Sequence, residues 1–139
     1  KLEENQEPPP VRERNMLKIL VNTQGQVLLE DMPSAVNMIR AEVQKHILNM
    51  GQDPNYAESP DKAVVSIKVD RQTPYDAYVQ VLDEVWMAYF ELWDREARAL
   101  GFPNYDAYRT ALAEDEENVI REKIKAQISI AEPDQGTGT

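Results

Sequence analysis

The feature that most constrains the fold is a short apolar run that ends at an acid and passes directly into a helix. Val64–Val69 (VVSIKV) is rich in β-branched residues, which suits a central strand. After a polar turn, Thr73 and Pro74 predict a helix start, with the Thr73 hydroxyl accepting the amide of Asp76 and Pro74 in the first helical position. Asp70 lies at the strand end, where a carboxylate can accept amides of the turn, so we interpret it as architectural.

Two further patterns precede this segment. Apolar and polar residues alternate on both sides of Gln24–Gly25, over residues 17–29, which predicts a β-hairpin. Apolar residues at helical spacing over residues 36–50 predict a helix that ends at Gly51. The ordered part of the chain is therefore expected to begin with two strands and a helix.

Behind the central strand, an apolar face runs along residues 75–100 and predicts a helix of about seven turns that ends near Gly101. Residues 102–125 predict one or two short helices, with Asn104 as a candidate cap. Alternation over residues 126–130 predicts a last strand. The order β-β-α-β-α-helical insert-β indicates an α+β fold of two layers, in which helices cover one face of a small mixed β-sheet.

The ends of the chain differ in composition from its middle. Residues 1–15 combine consecutive prolines with many charges, which predicts a flexible, Pro-rich tether, and residues 133–139 predict a disordered tail. The folded domain is expected over residues 16–132, with the insert at residues 102–125. A chain that begins with Lys1 is expected to be a piece of a longer protein. No apolar run approaches the roughly 18 residues that a membrane helix needs.

Composition excludes several kinds of chemistry. The net charge of -10 repels phosphate, so nucleic acid is not expected as a partner. The chain has no cysteine, which excludes thiol catalysis, disulfides and Cys-based zinc sites. His46 is the single histidine, and we expect it at the surface or at a boundary and not as a metal ligand. We interpret the carboxylates of Asp83–Glu84 and of residues 114–117 as solvated faces, and predict no enzyme activity, metal site or cofactor.

The long predicted helix carries many aromatic residues. Their spacing matches the core-facing side of that helix, so most of them are expected in the core. One small sheet is not expected to cover them all, and the surplus is a candidate partner surface. The aromatic residues concerned are Tyr75, Tyr78, Trp86, Tyr89 and Trp93.

The segment VSIKVDRQTPYDAYVQVLDEV resembles the periplasmic domain signature of the ExbD/TolR family of biopolymer transport proteins. In that family a strand ends in an Asp, a short polar turn follows, and a helix begins with a spaced Tyr, Val, Leu or Met, and Asp. The long helix and the insert are similar to an enlarged ExbD type of Bacteroidetes. The residues that carry the resemblance, with Val79 offset by one from the usual spacing, are Val65, Ile67, Asp70, Tyr75, Val79, Leu82 and Asp83.

The resemblance implies a non-enzymatic role in energy transduction. Family members are anchored at the periplasmic face of the inner membrane by one transmembrane helix, and their periplasmic domains form homodimers. They act with an ExbB/TolQ-like channel protein and a TonB/TolA-like protein, and they couple the proton motive force to outer-membrane transport. The membrane helix with its proton-coupling Asp is expected upstream of this sequence. The alternative is a TolR-like envelope module that binds peptidoglycan.

The partner-binding site is expected at an edge of the sheet, where unpaired amides and carbonyls can pair with a strand of another chain. The two candidates are the first hairpin, Leu17–Leu29, and the terminal strand, with Gln127, Ile128, Ser129 and Ile130. We favour the terminal strand because it is short, follows a charged insert and can be exchanged between two copies. On this hypothesis Ser129→Pro abolishes strand addition, and the net charge favours a basic partner segment.

Overall fold

The computed structural model describes residues 12–131, so the predicted tail and most of the predicted tether lie outside the described part. A 3₁₀ turn at Glu13–Asn15 leads into five strands and four helices. In chain order these elements are β1 (Met16–Val21), β2 (Val27–Leu29), β3 (Met32–Ser34), α1 (Val36–Ile47), β4 (Val64–Val69), α2 (Tyr75–Ala99), α3 (Tyr105–Ala111), α4 (Val119–Lys123) and β5 (Ile128–Ala131).

Residues 12–15 are bound to the domain by a set of hydrogen bonds. The Arg14 guanidinium donates to the main-chain carbonyl of Tyr56 over 3.0 Å. Asn15 is buried and makes two hydrogen bonds to Glu58, one from its side-chain amide to the carboxylate (3.0 Å) and one from the Glu58 amide to its side-chain oxygen (2.8 Å). The packed structure therefore includes residues that the sequence pattern assigned to the tether.

The five strands form one open sheet in the order β3-β2-β1-β4-β5. β1 pairs in parallel with β4, and β4 in parallel with β5, whereas the β1–β2 and β2–β3 pairs are antiparallel. Burial alternates along β1, where Leu17, Ile19 and Val21 are buried, and the register places Val65 and Ile67 of β4 on the same face. A mixed sheet with helices confirms the predicted α+β class.

The helices α1 and α2 complete the core on that face, and an ion-pair cluster joins them. The Arg40 guanidinium contacts the Glu84 carboxylate over 2.9 Å and the Glu91 carboxylate over 2.7 Å. Glu84, which the sequence pattern assigned to a solvated face, therefore pairs across the two helices. The large hydrophobic side chains buried in this layer are those of Ile39, Val43 and Ile47 of α1 and Val81, Val85, Tyr89, Leu92 and Trp93 of α2.

The strand β3 was not predicted, because its turn lacks the usual turn residues. The turn residues Glu30 and Asp31 both have positive φ angles, 50° and 69°, a geometry that Asn and Gly normally supply. The Glu30 amide donates to the Lys18 carbonyl of β1 over 2.9 Å. Since main-chain groups alternate in direction along a strand, the Leu29 amide and carbonyl face the other way, toward β3 (Met32–Ser34).

The prediction that His46 lies at the surface or a boundary is wrong. Its side chain is only 1% exposed, and its Nε2 lies 2.9 Å from the Asn15 carbonyl oxygen. Burial removes water from the ring and lowers the pKa of His46, so the neutral form is favoured in the fold. A neutral imidazole with Nε2 protonated donates to that carbonyl and joins α1 to the start of β1.

Candidate partner-binding edge

The turn after β4 uses the Asp70 carboxylate as a structural acceptor. The Gln72 amide donates to Asp70 Oδ1 over 2.9 Å, and the Thr73 amide donates to the Asp70 carbonyl over 3.0 Å. The Thr73 hydroxyl accepts the Asp70 amide (2.9 Å) and donates to the Val21 carbonyl of the neighbouring strand (3.0 Å). The carboxylate and the hydroxyl together hold the ends of β1 and β4 in register with the start of α2.

The predicted capping role of Thr73 is wrong in its partner. Its hydroxyl is committed to Asp70 and Val21, and α2 begins at Tyr75 with Pro74 as the N-cap and no side-chain cap bond. Proline therefore stands one position before the predicted one. The helix start is instead fixed by the strand-end turn, because the Thr73 side chain faces the sheet.

The other family-motif residues lie along the first turns of α2. Tyr75 is exposed, and its ring centroid lies 6.3 Å from that of Tyr78. Val79 and Leu82 are half-buried, whereas Asp83 is exposed. Leu82 packs against the core, so only Tyr75 and Asp83 of these positions are fully exposed on this part of the helix.

The insert delivers the last strand to the edge of the sheet. The buried Trp93 of α2 donates from its indole Nε1 to the Ile124 carbonyl over 2.9 Å, and the Arg121 guanidinium lies 4.2 Å from the centre of its ring. Asn104 accepts the Ala107 amide over 2.8 Å, which confirms the predicted cap of α3. The chain leaves this anchored insert and enters β5 (Ile128–Ala131) directly.

The strand β5 presents unpaired main-chain groups at one edge of the sheet. Val65 of β4 is in register with Ile128, and its amide donates to the Gln127 carbonyl over 2.9 Å. In a parallel pair this geometry turns Gln127 and Ser129 toward β4 and turns Ile128 and Ile130 outward. The outward groups define the β5 edge. Because the Ser129 amide faces β4, a proline there breaks the sheet itself, and the proline test belongs at Ile130.

The opposite edge, formed by β3, is closed by a proline. Leu29 faces β3 and is paired with Met32, so Met32 and Ser34 direct their main-chain groups inward. Pro33 is the outward-facing residue between them, and proline has no N–H to offer. Within residues 12–131, β5 is therefore the sheet edge with outward-facing amides.

The first hairpin, Leu17–Leu29, does not form an edge. Its first strand, β1, lies in the middle of the sheet between β2 and β4, and its second, β2, is covered by β3. This alternative binding site is therefore excluded by the strand order, and the terminal strand is left as the candidate.

A comparison with protein families now identifies the chain. The model of the family described as biopolymer transport protein ExbD/TolR matches residues 1–91. The chain belongs to the ExbD/TolR family. The match contains the Asp70 turn and the motif residues through Asp83, whereas Gln127–Ile130 lie beyond it. No curated protein matches the sequence.

ExbD/TolR proteins are transport-associated and non-enzymatic, belong to the inner membrane, and generally act with ExbB/TolQ and TonB/TolA partners. Within residues 12–131 of this ExbD/TolR chain, no helix has the length and apolarity to cross a membrane. The exposed edges and depressions of residues 12–131 are the places to look for contacts with other proteins.

The charge around the β5 edge differs from the net charge of this family member. Lys125 precedes the strand, and Lys68 of β4 lies in register with Ala131 at its other end. The Gln127 side chain donates to the carbonyls of Asp61 (2.8 Å) and Ala63 (3.2 Å), which anchors the start of β5. Lys125 and Lys68 therefore place positive charge near both ends of β5, and the Asp61 carboxylate lies close enough to Lys125 for their charges to interact.

Tyr89 of α2 lies close to the main chain at the start of β5. Tyr89 is buried, and among residues 12–131 its hydroxyl has no partner in hydrogen-bond geometry. Burial raises the pKa of Tyr89 to about 12, and the nearby main chain of Gln127 opposes this only weakly. The Tyr89 hydroxyl close to the start of β5 therefore stays protonated in the fold.

An aromatic residue of α2 that the sequence analysis did not single out is exposed beside the insert. Phe90 is exposed and stacks on Trp86 with 5.7 Å between ring centroids. It borders a depression of about 320 Å³ that is also lined by Asp94, Asn104 and Tyr105. The depression therefore combines an aromatic ring with carboxylate, amide and hydroxyl groups.

Proposed function

We propose that the chain is the periplasmic domain of an inner-membrane energy-transduction protein. It couples the proton motive force, through an ExbB-like channel and a TonB-like partner, to transport across the outer membrane. The observation that carries this proposal is the family match over residues 1–91, joined to a turn at Asp70 in which the motif carboxylate serves the fold. Proton-coupling chemistry is assigned to a membrane helix outside this sequence.

In this proposal the domain acts as a homodimer and binds its partner at the β5 edge. The tether enters β1 through Arg14 and Asn15, which are fastened to the loop at Tyr56 and Glu58. β1, β4 and β5 run parallel and adjacent, so a pull along β1 loads the hydrogen bonds of both pairs together. A partner strand added at β5 would receive that load through the sheet.

The test is site-specific photo-crosslinking in the bacterium that encodes the full-length protein. A photoreactive residue replaces Ile130 at the β5 edge, and a second variant carries it at Thr110, an exposed position of α3. We expect adducts with a TonB-like protein from position 130 only, and we expect their yield to change when an uncoupler dissipates the proton motive force. The proposal would be overturned by equal adduct yields from the two positions. It would also be overturned if the uncoupler left the yield from position 130 unchanged.

Backbone pairing is tested separately with Ile130→Pro and Ile130→Ala. Both variants shorten the side chain, but only the proline removes the outward amide. If the partner adds as a strand, the alanine variant keeps the adduct and the dimer mass measured by sedimentation, and the proline variant loses the adduct. A folded proline variant, checked by circular dichroism, that binds as well as the alanine variant would exclude β5.

A second candidate function is peptidoglycan binding, and the depression beside Phe90 favours it. Asp94 and Asn104 already use one oxygen each, toward the amides of Tyr105 and Ala107, and the remaining polar atoms could receive sugar hydroxyls. Sedimentation with purified peptidoglycan tests this, with Phe90→Ala as the variant. Met87→Ala is the matched control, since Met87 is also an exposed residue of α2. Equal retention of both variants would exclude the depression.

A further inference from the structure

A groove with methionine side chains lies at the end of the molecule opposite β5. It has a volume of about 670 Å³ and lies between the β2–β3 turn, α1 and the loop around Tyr56. Met32 is 67% exposed and Met38 is 54% exposed, and both line the groove. We call this the methionine groove, and its residues used below are Met32, Pro33, Met38, Glu30, Glu42 and Tyr56.

Met32 and Met38 leave apolar surface exposed to solvent in the groove. Exposed apolar surface beside polar residues is typical of a contact site for another molecule. Methionine is unbranched and polarisable, so Met32 and Met38 can adapt to the shape of an incoming side chain. Pro33 removes the outward amide from the neighbouring strand, so the occupant binds through side chains and not as an added strand.

The acidic side chains of the groove determine the charge of the occupant. Glu30, on the β2–β3 turn, and Glu42, on α1, both line it. Glu42 accepts the Tyr56 hydroxyl over 2.6 Å, and Glu30 accepts the Lys18 amide over 2.7 Å, so both carboxylates are positioned. The single arginine of the lining, Arg14, donates to main-chain carbonyls. Two lysines lie near these carboxylates: Lys18 acts on Glu30 but pairs with Glu13, and Lys45 acts on Glu42 but lies over the Tyr56 ring, 4.8 Å from its centre.

We propose that the methionine groove binds a segment of a partner protein in which an apolar side chain is flanked by basic residues. The apolar side chain lies between Met32 and Met38, and the basic groups pair with Glu30 and Glu42. The inference rests on this groove and is independent of the proposed energy-transducing function. It also gives a location for the basic partner segment that the net charge of -10 favours.

The probe is a capped peptide, Lys-Leu-Lys-Lys-Leu-Lys, titrated into the full chain and followed by amide chemical shifts. Two matched peptides replace leucine by serine or lysine by glutamate. We expect the first peptide to shift the amides of Met32, Ser34 and residues 38–42 and 55–56, and the other two to leave them unchanged. Equal shifts with the serine peptide would reduce the effect to charge alone, and shifts confined to β5 would place the peptide elsewhere; either result overturns the proposal.

Variants separate the two contributions. Met38→Ser should weaken binding about five- to tenfold, as expected for losing buried methylene groups, whereas the matched control Met87→Ser on α2 should leave it unchanged. Glu42→Gln should weaken binding and reduce its dependence on salt. A chain that begins at residue 12 is the last comparison. If removing residues 1–11 shifts the groove amides without any peptide, the lead-in segment is the occupant and the partner proposal is wrong.

Discussion

The two edge strands of the sheet, β5 and β3, differ in whether their outward-facing main-chain groups can pair with another strand. At β5, Ile128 and Ile130 face outward, and no strand among residues 12–131 pairs with them on that side. At β3, the outward residue is Pro33, which offers a carbonyl alone. On our proposals, the β5 edge adds a partner strand, whereas the methionine groove beside the β3 edge binds side chains.

This difference limits how copies of the chain can assemble. A sheet with two open edges can pair head to tail without closing, which leads to open-ended aggregates. Closing one edge with proline leaves a single edge for pairing, and a single edge gives a closed dimer or one complex with a partner strand. Pro33 thus protects the specificity of the β5 edge although the two lie on opposite sides of the sheet.

The largest expected effect comes from removing the Trp93 side chain, which anchors the insert just before β5. Trp93 is buried and its indole donates to the Ile124 carbonyl just before the strand. We expect Trp93→Ala to lower the free energy of unfolding by about 3–5 kcal/mol, as for other large buried side chains. Urea denaturation measures this loss. Because Trp93 contacts the insert, hydrogen exchange should accelerate at β5 more than at β2 and β3.

The control is Trp93→Phe, which keeps most of the buried volume and loses the indole N–H. It should cost less than the alanine variant and still loosen β5 selectively. Uniform acceleration of exchange across the sheet would show that the insert does not hold β5 in particular, and the contrast between the two edges would then not depend on it.

The next effect concerns the turn that aligns the middle strands. Thr73→Val removes a hydroxyl that accepts the Asp70 amide and donates to the Val21 carbonyl, and should cost about 1–3 kcal/mol because buried main-chain groups lose partners. Asp70→Asn keeps an oxygen for the Gln72 amide and should cost less, with the fold retained. Thermal melting compares the two. A selective loss of function in cells by Asp70→Asn, with unchanged melting and partner binding, would contradict the architectural role.

The sequence predicted those features that depend on local pattern. The strand at 64–69, the acceptor role of Asp70, the Asn104 cap and the terminal strand all follow from neighbouring residues. The features it missed depend on contacts between distant segments. In the fold, the buried His46 ring has a hydrogen-bond partner in the main-chain carbonyl of Asn15, 31 residues earlier in the chain. The Thr73 hydroxyl likewise donates to the carbonyl of Val21, on the neighbouring strand.

The direction of main-chain groups in the edges was equally hidden from the sequence. It depends on register, and the register is set by pairings such as Val65 with Ile128. The strand β3 escaped prediction because Pro33 argues against a strand and the turn at Glu30–Asp31 contains neither glycine nor asparagine. At an edge, proline is permitted for the same reason that it blocks further pairing.

A smaller effect links pH to the groove side of the molecule. Burial lowers the pKa of His46 in the fold, while the unfolded chain keeps a pKa near its ordinary value of 6.5. Between these two pKa values the unfolded state binds more protons, so stability is complete above about pH 6.5 and falls as the pH drops through this window. His46→Gln should remove this part of the slope, as measured by urea denaturation at pH 8 and pH 5.5.

The site of the acid effect distinguishes the two ends of the sheet. His46 contacts the start of β1 and lies beside Tyr56, with 6.1 Å between ring centroids. Mild acid should therefore lower the hydrogen-exchange protection factors around residues 13–16 and 55–58 before it lowers those of β5. Simultaneous loosening of β5 at the same pH would show that the two ends unfold as one unit.

The smallest effect tests the proline itself. Pro33→Val adds one outward amide to an exposed edge, and a single hydrogen bond of this kind contributes about 0.5–1.5 kcal/mol. Stability should change little, but sedimentation should show association beyond the wild-type mass that grows with concentration. Ser34→Val is the matched control, because it introduces the same side chain at the adjacent position, where the amide already faces β2. Combining Pro33→Val with Ile130→Pro should end open-ended growth, since one edge is again closed. If Pro33→Val associates no more than Ser34→Val, then the tight Glu30–Asp31 turn or the short length of β3 protects that edge, and the missing amide does not explain the difference between the two sides of the sheet.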